Sequence, residues 1–293
     1  MVTEANLAAP DVKIALTFDF DSYTNWIGAL NATSPSMVSR GEFGPIGVHR
    51  ILALLAEYQA LATFFVPGAS AVTYPRVVAA IQAAGHEIGH HGWIHENPVK
   101  LNLDDERRIL ERGIKALEQV TQVRPLGYRS PSWDNSPNTV KLLLEYGFEY
   151  ESSLMGNDFE PYWCRIGDHW SIDEPYQFGD PTPLVEMPVA WHLDDWPWFE
   201  FIPGQAQGLR APSTVMEIWK GEFDYLYHHI QHGVMIITMH PQCIGRGHRL
   251  LALKAFLDYI VQHSGVSFTT CISYVRRWRA GKTPGLPVDA GPL

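Results

Sequence analysis

Short apolar runs alternate with amphipathic stretches along this chain, and that alternation sets the expected order of elements. Residues 13–20 form an apolar run bounded by polar residues, the pattern of a buried strand. A loop rich in Gly, Ser, Asn and Pro follows. Pro45 then opens a helix with Val48, Ile51, Leu52 and Leu55 on one face. Residues 62–66, halted by Pro67 and Gly68, predict a second strand, and residues 75–84 a helix ended by Gly85. Residues 86–90 read as a third strand. Residues 104–120 read as a helix with Ile109, Ile114 and Leu117 inward. Further strands are expected at 126–129, 148–151, 184–189, 234–238 and 266–269, and further helices at 137–146, 213–229 and 250–263. Residues 152–180 read as aromatic and irregular.

Strands alternating with helices imply parallel βαβ units. Seven or eight such units without a Gly-rich nucleotide turn favour an α/β fold of the irregular (β/α) barrel type, of seven to eight strands, over a doubly wound sheet. With no internal repeat and no linker, residues 1–293 are expected to form a single catalytic domain. In such a barrel the active site sits at the C-terminal ends of the strands. A net charge of −10 argues against a nucleic-acid partner. No apolar stretch approaches the ~20 residues needed to span a bilayer, so no membrane partner is expected. The N-terminus lacks the basic start and apolar core of a signal peptide, which predicts a cytoplasmic location. Cys164, Cys243 and Cys271 are an odd count without motif spacing and imply no disulfide framework.

The first apolar run ends in Asp19 and Asp21. Their side chains are expected to start on opposite faces, one to bind a metal and one to face the reacting water. Two overlapping H-x-x-x-H pairs follow, His86/His90 and His91/His95, whose imidazoles converge where the backbone is helical. His86 begins a strand, which makes His91 and His95 the better ligand pair. One acid and two imidazoles, with a position left for water, suit a zinc-type hydrolytic site. Glu96 and Asn97 lie where outer hydrogen bonds could form. Arg129, at a strand end, could hold a carboxylate bidentately or form a rim salt bridge. His240 ends an apolar strand, as a core residue or as an acid whose pKa Asp194 or Asp195 raises. Cys243 invites a cysteine–histidine reading that leaves the metal set unexplained. His228, His229, His232 and His263 are expected on helices at the surface.

Five segments resemble the recurring motifs of the polysaccharide deacetylase family of metal-dependent carbohydrate esterases and amidases. They are Thr-Phe-Asp-Phe-Asp at 17–21, His-Gly-Trp-Ile-His at 91–95, Arg-Ser-Pro-Ser-Trp at 129–133, Asp-Asp-Trp at 194–196 and Met-His-Pro at 239–241. The resemblance implies an irregular (β/α) barrel. It also implies Asp19 as general base, Asp21, His91 and His95 as metal ligands, Arg129 orienting Asp19, and His240 as general acid. One divalent ion is implied, Zn2+ first, with Co2+, Mn2+ and Ni2+ as alternatives. Two departures stand out: Gly92 replaces the usual Ser or Thr, and Asp194 and Asp195 are adjacent where two residues usually intervene. Residues 36–47 and 153–163 look like a cytoplasmic branch that holds cyclic imide hydrolases, allantoinase-like enzymes and peptidoglycan deacetylase-like proteins. Relatives in that branch imply a homotetramer.

The activity expected from this reading is the opening of small cyclic imides, with Glu42, Phe43, Trp133, Tyr162, Trp163 and Trp196 lining an apolar slot for a flat small-molecule ring. The alternative is N-deacetylation of peptidoglycan or chito-oligosaccharide amino sugars. An allantoinase-like ureide hydrolase ranks lower, because those members tend to lack the metal triad.

Overall fold

The computed structural model describes residues 9–204 and 206–287. Strand β1 (Asp11–Asp19) lies at the heart of the sheet, with Val12, Ile14, Ala15, Leu16 and Phe18 all fully buried. A strand covered on both faces has no polar side to show, which is why this run is nearly continuous in apolar residues. β2 (Thr63–Val66), β3 (Glu87–His90), β4 (Gly127–Tyr128) and β5 (Tyr150–Glu151) follow one another in parallel from one edge of β1. β6 (Tyr162–Ile166) runs antiparallel to β7 (Asp180–Glu186), and β7 pairs in parallel with β5. β8 (His232–Met239) pairs along the whole other edge of β1. β9 (Val266–Phe268) shares the β2 edge, at the N-terminal half of β1. The spatial order is β8-β1-β2-β3-β4-β5-β7-β6, a curled and mostly parallel sheet. Beyond β7, a single parallel bridge from Asp194 to Thr238 joins the two ends of the curl. This is the irregular (β/α) barrel expected from the sequence.

The helices pack their apolar stripes onto this sheet. Gly44–Glu57 buries Val48, Ile51, Leu54 and Leu55. Leu103–Thr121 starts where the Asn102 side chain accepts from the Asp105 amide, and stops at Gln122 in the left-handed conformation, φ +58°. It buries Leu110, Ile114 and Leu117, whereas Ile109, expected inward, is half-buried beside Leu110. Among the elements not foreseen, two lie within stretches of weak pattern. β6 falls in the irregular aromatic segment, where a register shift between Trp163 and Arg165 breaks the period-two alternation. The helix Cys271–Arg279 buries only Cys271 and Val275 and otherwise reads as a basic tail. Among the described residues no helix is long and apolar enough to cross a membrane.

Candidate active site

Asp19 closes β1 and Asp21 lies two residues further on. A period of two sends such a pair to the same face, not to opposite faces as the sequence reading had it. His91 Nε2 lies 3.4 Å from Asp21 Oδ1 and 3.9 Å from Asp19 Oδ2. His95 Nε2 lies 3.7 Å from Asp21 Oδ2. No helix brings the two histidines together. The chain after β3 folds back through Gly92 (φ +73°) and through His95 itself (φ +64°). Glu96 braces this loop by accepting from the amides of Trp93 and Ile94, so its target is the backbone and not an imidazole. Gly28 packs so tightly under the same loop that a Cβ would stand 1.7 Å from the Ile94 carbonyl oxygen. His90 already uses both ring nitrogens, one toward the Leu110 carbonyl and one accepting from the Gly92 amide. His86 accepts from the Ala62 amide.

Both carboxylate oxygens of Asp21 and Nε2 of His91 are buried without a hydrogen-bond partner. One ligand atom each from Asp21, His91 and His95 lies within 4.8 Å of the others. The His91 Nδ1–H donates to the Arg129 carbonyl oxygen at 2.7 Å, which leaves the Nε2 lone pair facing Asp21. Burial pushes the His91 pKa down to about 4, against the opposing pull of Asp19, and holds His95 well below the usual histidine range. Both rings are therefore neutral, as metal ligation requires. Burial also drives the Asp21 pKa well up, with His240 opposing and Asp19 adding to the rise. A carboxylate placed so, dry and without a hydrogen bond, is costly unless a cation compensates it. These residues fit a divalent cation of the zinc class.

Arg129 Nη1 donates to Asp19 Oδ1 at 2.9 Å and to Thr17 Oγ1 at 2.9 Å. Its Nε and Nη2 are spent on Ser152, so the contact with Asp19 is single and not the bidentate one anticipated. Burial raises the Asp19 pKa, but the charges of Arg129 and His240, with the hydrogen bond from Arg129, outweigh it and keep the carboxylate below its ordinary value. On the other side, His240 Nδ1–H donates to Asp195 Oδ1 at 2.7 Å, and the His240 amide donates to the same oxygen at 3.0 Å. Asp194 Oδ1 is 3.5 Å from that nitrogen and accepts from the Trp196 amide. Asp195 is thus the direct partner of His240, and Asp194 a neighbouring charge. Burial alone would lower the His240 pKa; Asp194 and Asp195 overcome it and raise the value to about 10. His240 Nε2 lies 4.0 Å from Asp19 Oδ2 and 3.6 Å from Asp21 Oδ2.

These groups form one wall of a cleft of about 150 Å3 whose other walls include Asn25, Leu30, Trp133, Trp191 and Trp196. Trp133 and Trp196 were expected there, whereas the other four residues assigned to a ring slot lie elsewhere. Glu42 is exposed on a turn. Phe43 lies 3.6 Å beneath the Arg246 guanidinium. Tyr162 accepts from the Gly156 amide, and Trp163 packs on Trp278 in the core. Trp191, missed from the sequence, stacks on Trp133 with centroids 4.4 Å apart. Its only signal was its place at the head of a tryptophan-rich loop. Cys243 donates to Glu200, and burial pushes its thiol well above the ordinary range, which removes it as a nucleophile.

The family model for polysaccharide deacetylase matches residues 7–151. Over 276 residues, 89% of this chain and 94% of that protein, the chain is 36% identical to the peptidoglycan deacetylase of Helicobacter pylori. The chain belongs to the polysaccharide deacetylase family. A peptidoglycan deacetylase-like protein of Gibberella zeae is 29% identical over 272 residues, 85% of this chain and 80% of that one. A solved Mycobacterium smegmatis protein described as a polysaccharide deacetylase superposes with a TM-score of 0.84 at 35% identity, covering 97% of this chain and 96% of its own. These three relatives overturn the cyclic imide hydrolase expected from the sequence: each is named as a deacetylase, or a deacetylase-like protein, of peptidoglycan or polysaccharide. The slot for a flat ring fails with it, since only two of its six residues reach the cleft.

Proposed function

We propose that the protein is an N-deacetylase of N-acetylated amino sugars in glycans of the peptidoglycan type, with Asp21, His91 and His95 holding one divalent ion, Zn2+ first among the candidates. The observation that carries this reading is the pair of oppositely tuned groups, Asp19 and His240, on either side of a buried two-histidine, one-carboxylate cluster. The choice of substrate rests on the likeness to the Helicobacter pylori peptidoglycan deacetylase. When bound, the ion polarises the amide carbonyl and lowers the pKa of water. Asp19, kept ionised by Arg129, takes the proton of the attacking water. His240, kept protonated by Asp195, gives its proton to the sugar nitrogen as the C–N bond breaks, releasing acetate and a free amine. Trp133, Trp191 and Trp196 offer aromatic faces to the apolar face of a sugar ring.

The test is acetate release. The metal-loaded protein is incubated with N-acetylglucosamine oligomers and with peptidoglycan fragments, and acetate and free amine are measured together. Equal amounts of both products are expected from at least one substrate. Absence of acetate from every one of them overturns the assignment.

A further inference from the structure

We propose that Asp224, His228 and His263 form a second divalent-metal site at the opposite end of the barrel, one that takes a zinc-class ion through two imidazoles and a carboxylate. One ligand atom from each of the three lies within 4.8 Å of the others. The helix Pro212–Tyr225 runs on into the wide turn Leu226–Ile230. Asp224 and His228, four residues apart, therefore project from neighbouring positions on one side. His263 arrives from the turn after the helix Gly247–Ile260. His228 precedes β8 and His263 precedes β9, so the cluster lies by the N-terminal ends of strands whose C-terminal ends carry the catalytic groups.

The cluster is held in shape by its own neighbours. His263 Nδ1 lies 3.1 Å from the Tyr259 carbonyl oxygen. With that nitrogen donating, Nε2 is left as the ligand atom, the arrangement in which metal-binding histidines are commonly fixed. The ring stands edge-on to Phe223, Tyr227 and Tyr259, at 4.9, 4.7 and 4.9 Å between centroids. Asp224 Oδ1 accepts from the Tyr259 hydroxyl at 2.6 Å, which orients the carboxylate. Its Oδ2 accepts from Lys220 at 3.0 Å, and this ammonium competes with an incoming cation. His228 is exposed, so an ion enters from solvent and completes its shell with water. Mixed imidazole and carboxylate donors select Zn2+, Ni2+ or Cu2+ over Ca2+ or Mg2+. The bound ion would tie the end of one surface helix to the end of another and stabilise the fold by mass action.

The full chain carrying His91→Ala, which removes one candidate ligand of the catalytic cluster, is titrated with Zn2+ in metal-free buffer, with binding read calorimetrically and Tm in parallel. One saturable equivalent and a rise in Tm are expected to remain. Adding His263→Ala should abolish both. The milder surface change His228→Gln should weaken binding at least tenfold while leaving the metal-free Tm unchanged. Lys220→Met should tighten binding, a gain that loss of packing cannot produce. In the otherwise unaltered chain, His228→Gln should lower zinc stoichiometry by one and leave acetate release untouched. No zinc binding by the His91→Ala chain, or binding indifferent to His263→Ala, overturns the proposal. Because the zinc-binding and Tm readouts do not involve turnover, failure of the deacetylase assignment would leave them unaffected.

Discussion

The two flanks of the cleft solve the same problem with opposite charges. On the β1 flank a fully buried guanidinium, Arg129, keeps the Asp19 carboxylate ionised against the pull of burial. On the β8 flank two buried carboxylates, Asp194 and Asp195, keep the His240 imidazole protonated against the same pull. Desolvation disfavours charge on both sides, so in each case the sign of the neighbour decides which protonation state survives. The flanks differ in how the partner is anchored. Arg129 spends its remaining donors on Thr17 and Ser152 and is rigid in itself. Asp195 Oδ1 receives two donors of His240, the ring Nδ1–H and the amide, while its Oδ2 is buried without a hydrogen bond. Asp19 is tuned by a neighbour locked from outside, His240 by a neighbour locked to His240 itself.

The sharpest way to break this symmetry is Asp19→Asn, which keeps the hydrogen bond to Arg129 but cannot take a proton. Turnover should fall by ~10²–10⁴-fold with metal content retained, checked by kcat and elemental analysis. Arg129→Lys keeps the charge and loses the fork that joins Asp19, Thr17 and Ser152. A loss of about 10–100-fold in kcat, smaller than that of Asp19→Asn, is expected from an orienting partner. Asp195→Asn tests the other flank through pH. The carboxylates that face His240 are Asp19, Asp21, Asp194 and Asp195. Their charge raises its pKa, so the protonated acid persists below that value and is lost above it. Removing the Asp195 charge lowers the pKa and moves the alkaline limb of kcat to lower pH, with about a tenfold fall in rate on that limb for each unit moved. An unmoved limb would take Asp195 out of the tuning role. The smallest effect belongs to Trp191→Ala. Trp191 is 46% exposed at the mouth and packs on Trp133, and in the proposed reading it offers an aromatic face to a sugar. KM for an oligomer should rise by roughly threefold to tenfold, matching ~0.5–1.5 kcal/mol for an aromatic contact, with kcat near the wild-type value.

Local pattern by itself determined the parallel order of strands and helices, because burial on both faces of β1 and on one face of each helix leaves a periodic mark in the chain. It also singled out Asp19, Asp21, His91, Arg129 and His240, because in a βα barrel polar residues at the ends of apolar strands have one rim to go to. What periodicity could not supply was decided by contacts between distant segments. Glu42, Phe43, Tyr162 and Trp163 look like cleft residues by composition, yet the folded chain spends them on the surface, on Arg246, on a loop amide and on Trp278. The choice of Asp195 over Asp194 follows from the bridge between Asp194 and Thr238, which sets which of two adjacent carboxylates meets His240. The convergence of His91 and His95 depends on two left-handed residues and on Gly28 beneath their loop. Such choices are made by packing across the whole fold, where a side chain's partner lies dozens or hundreds of positions away and leaves no trace in its own neighbourhood.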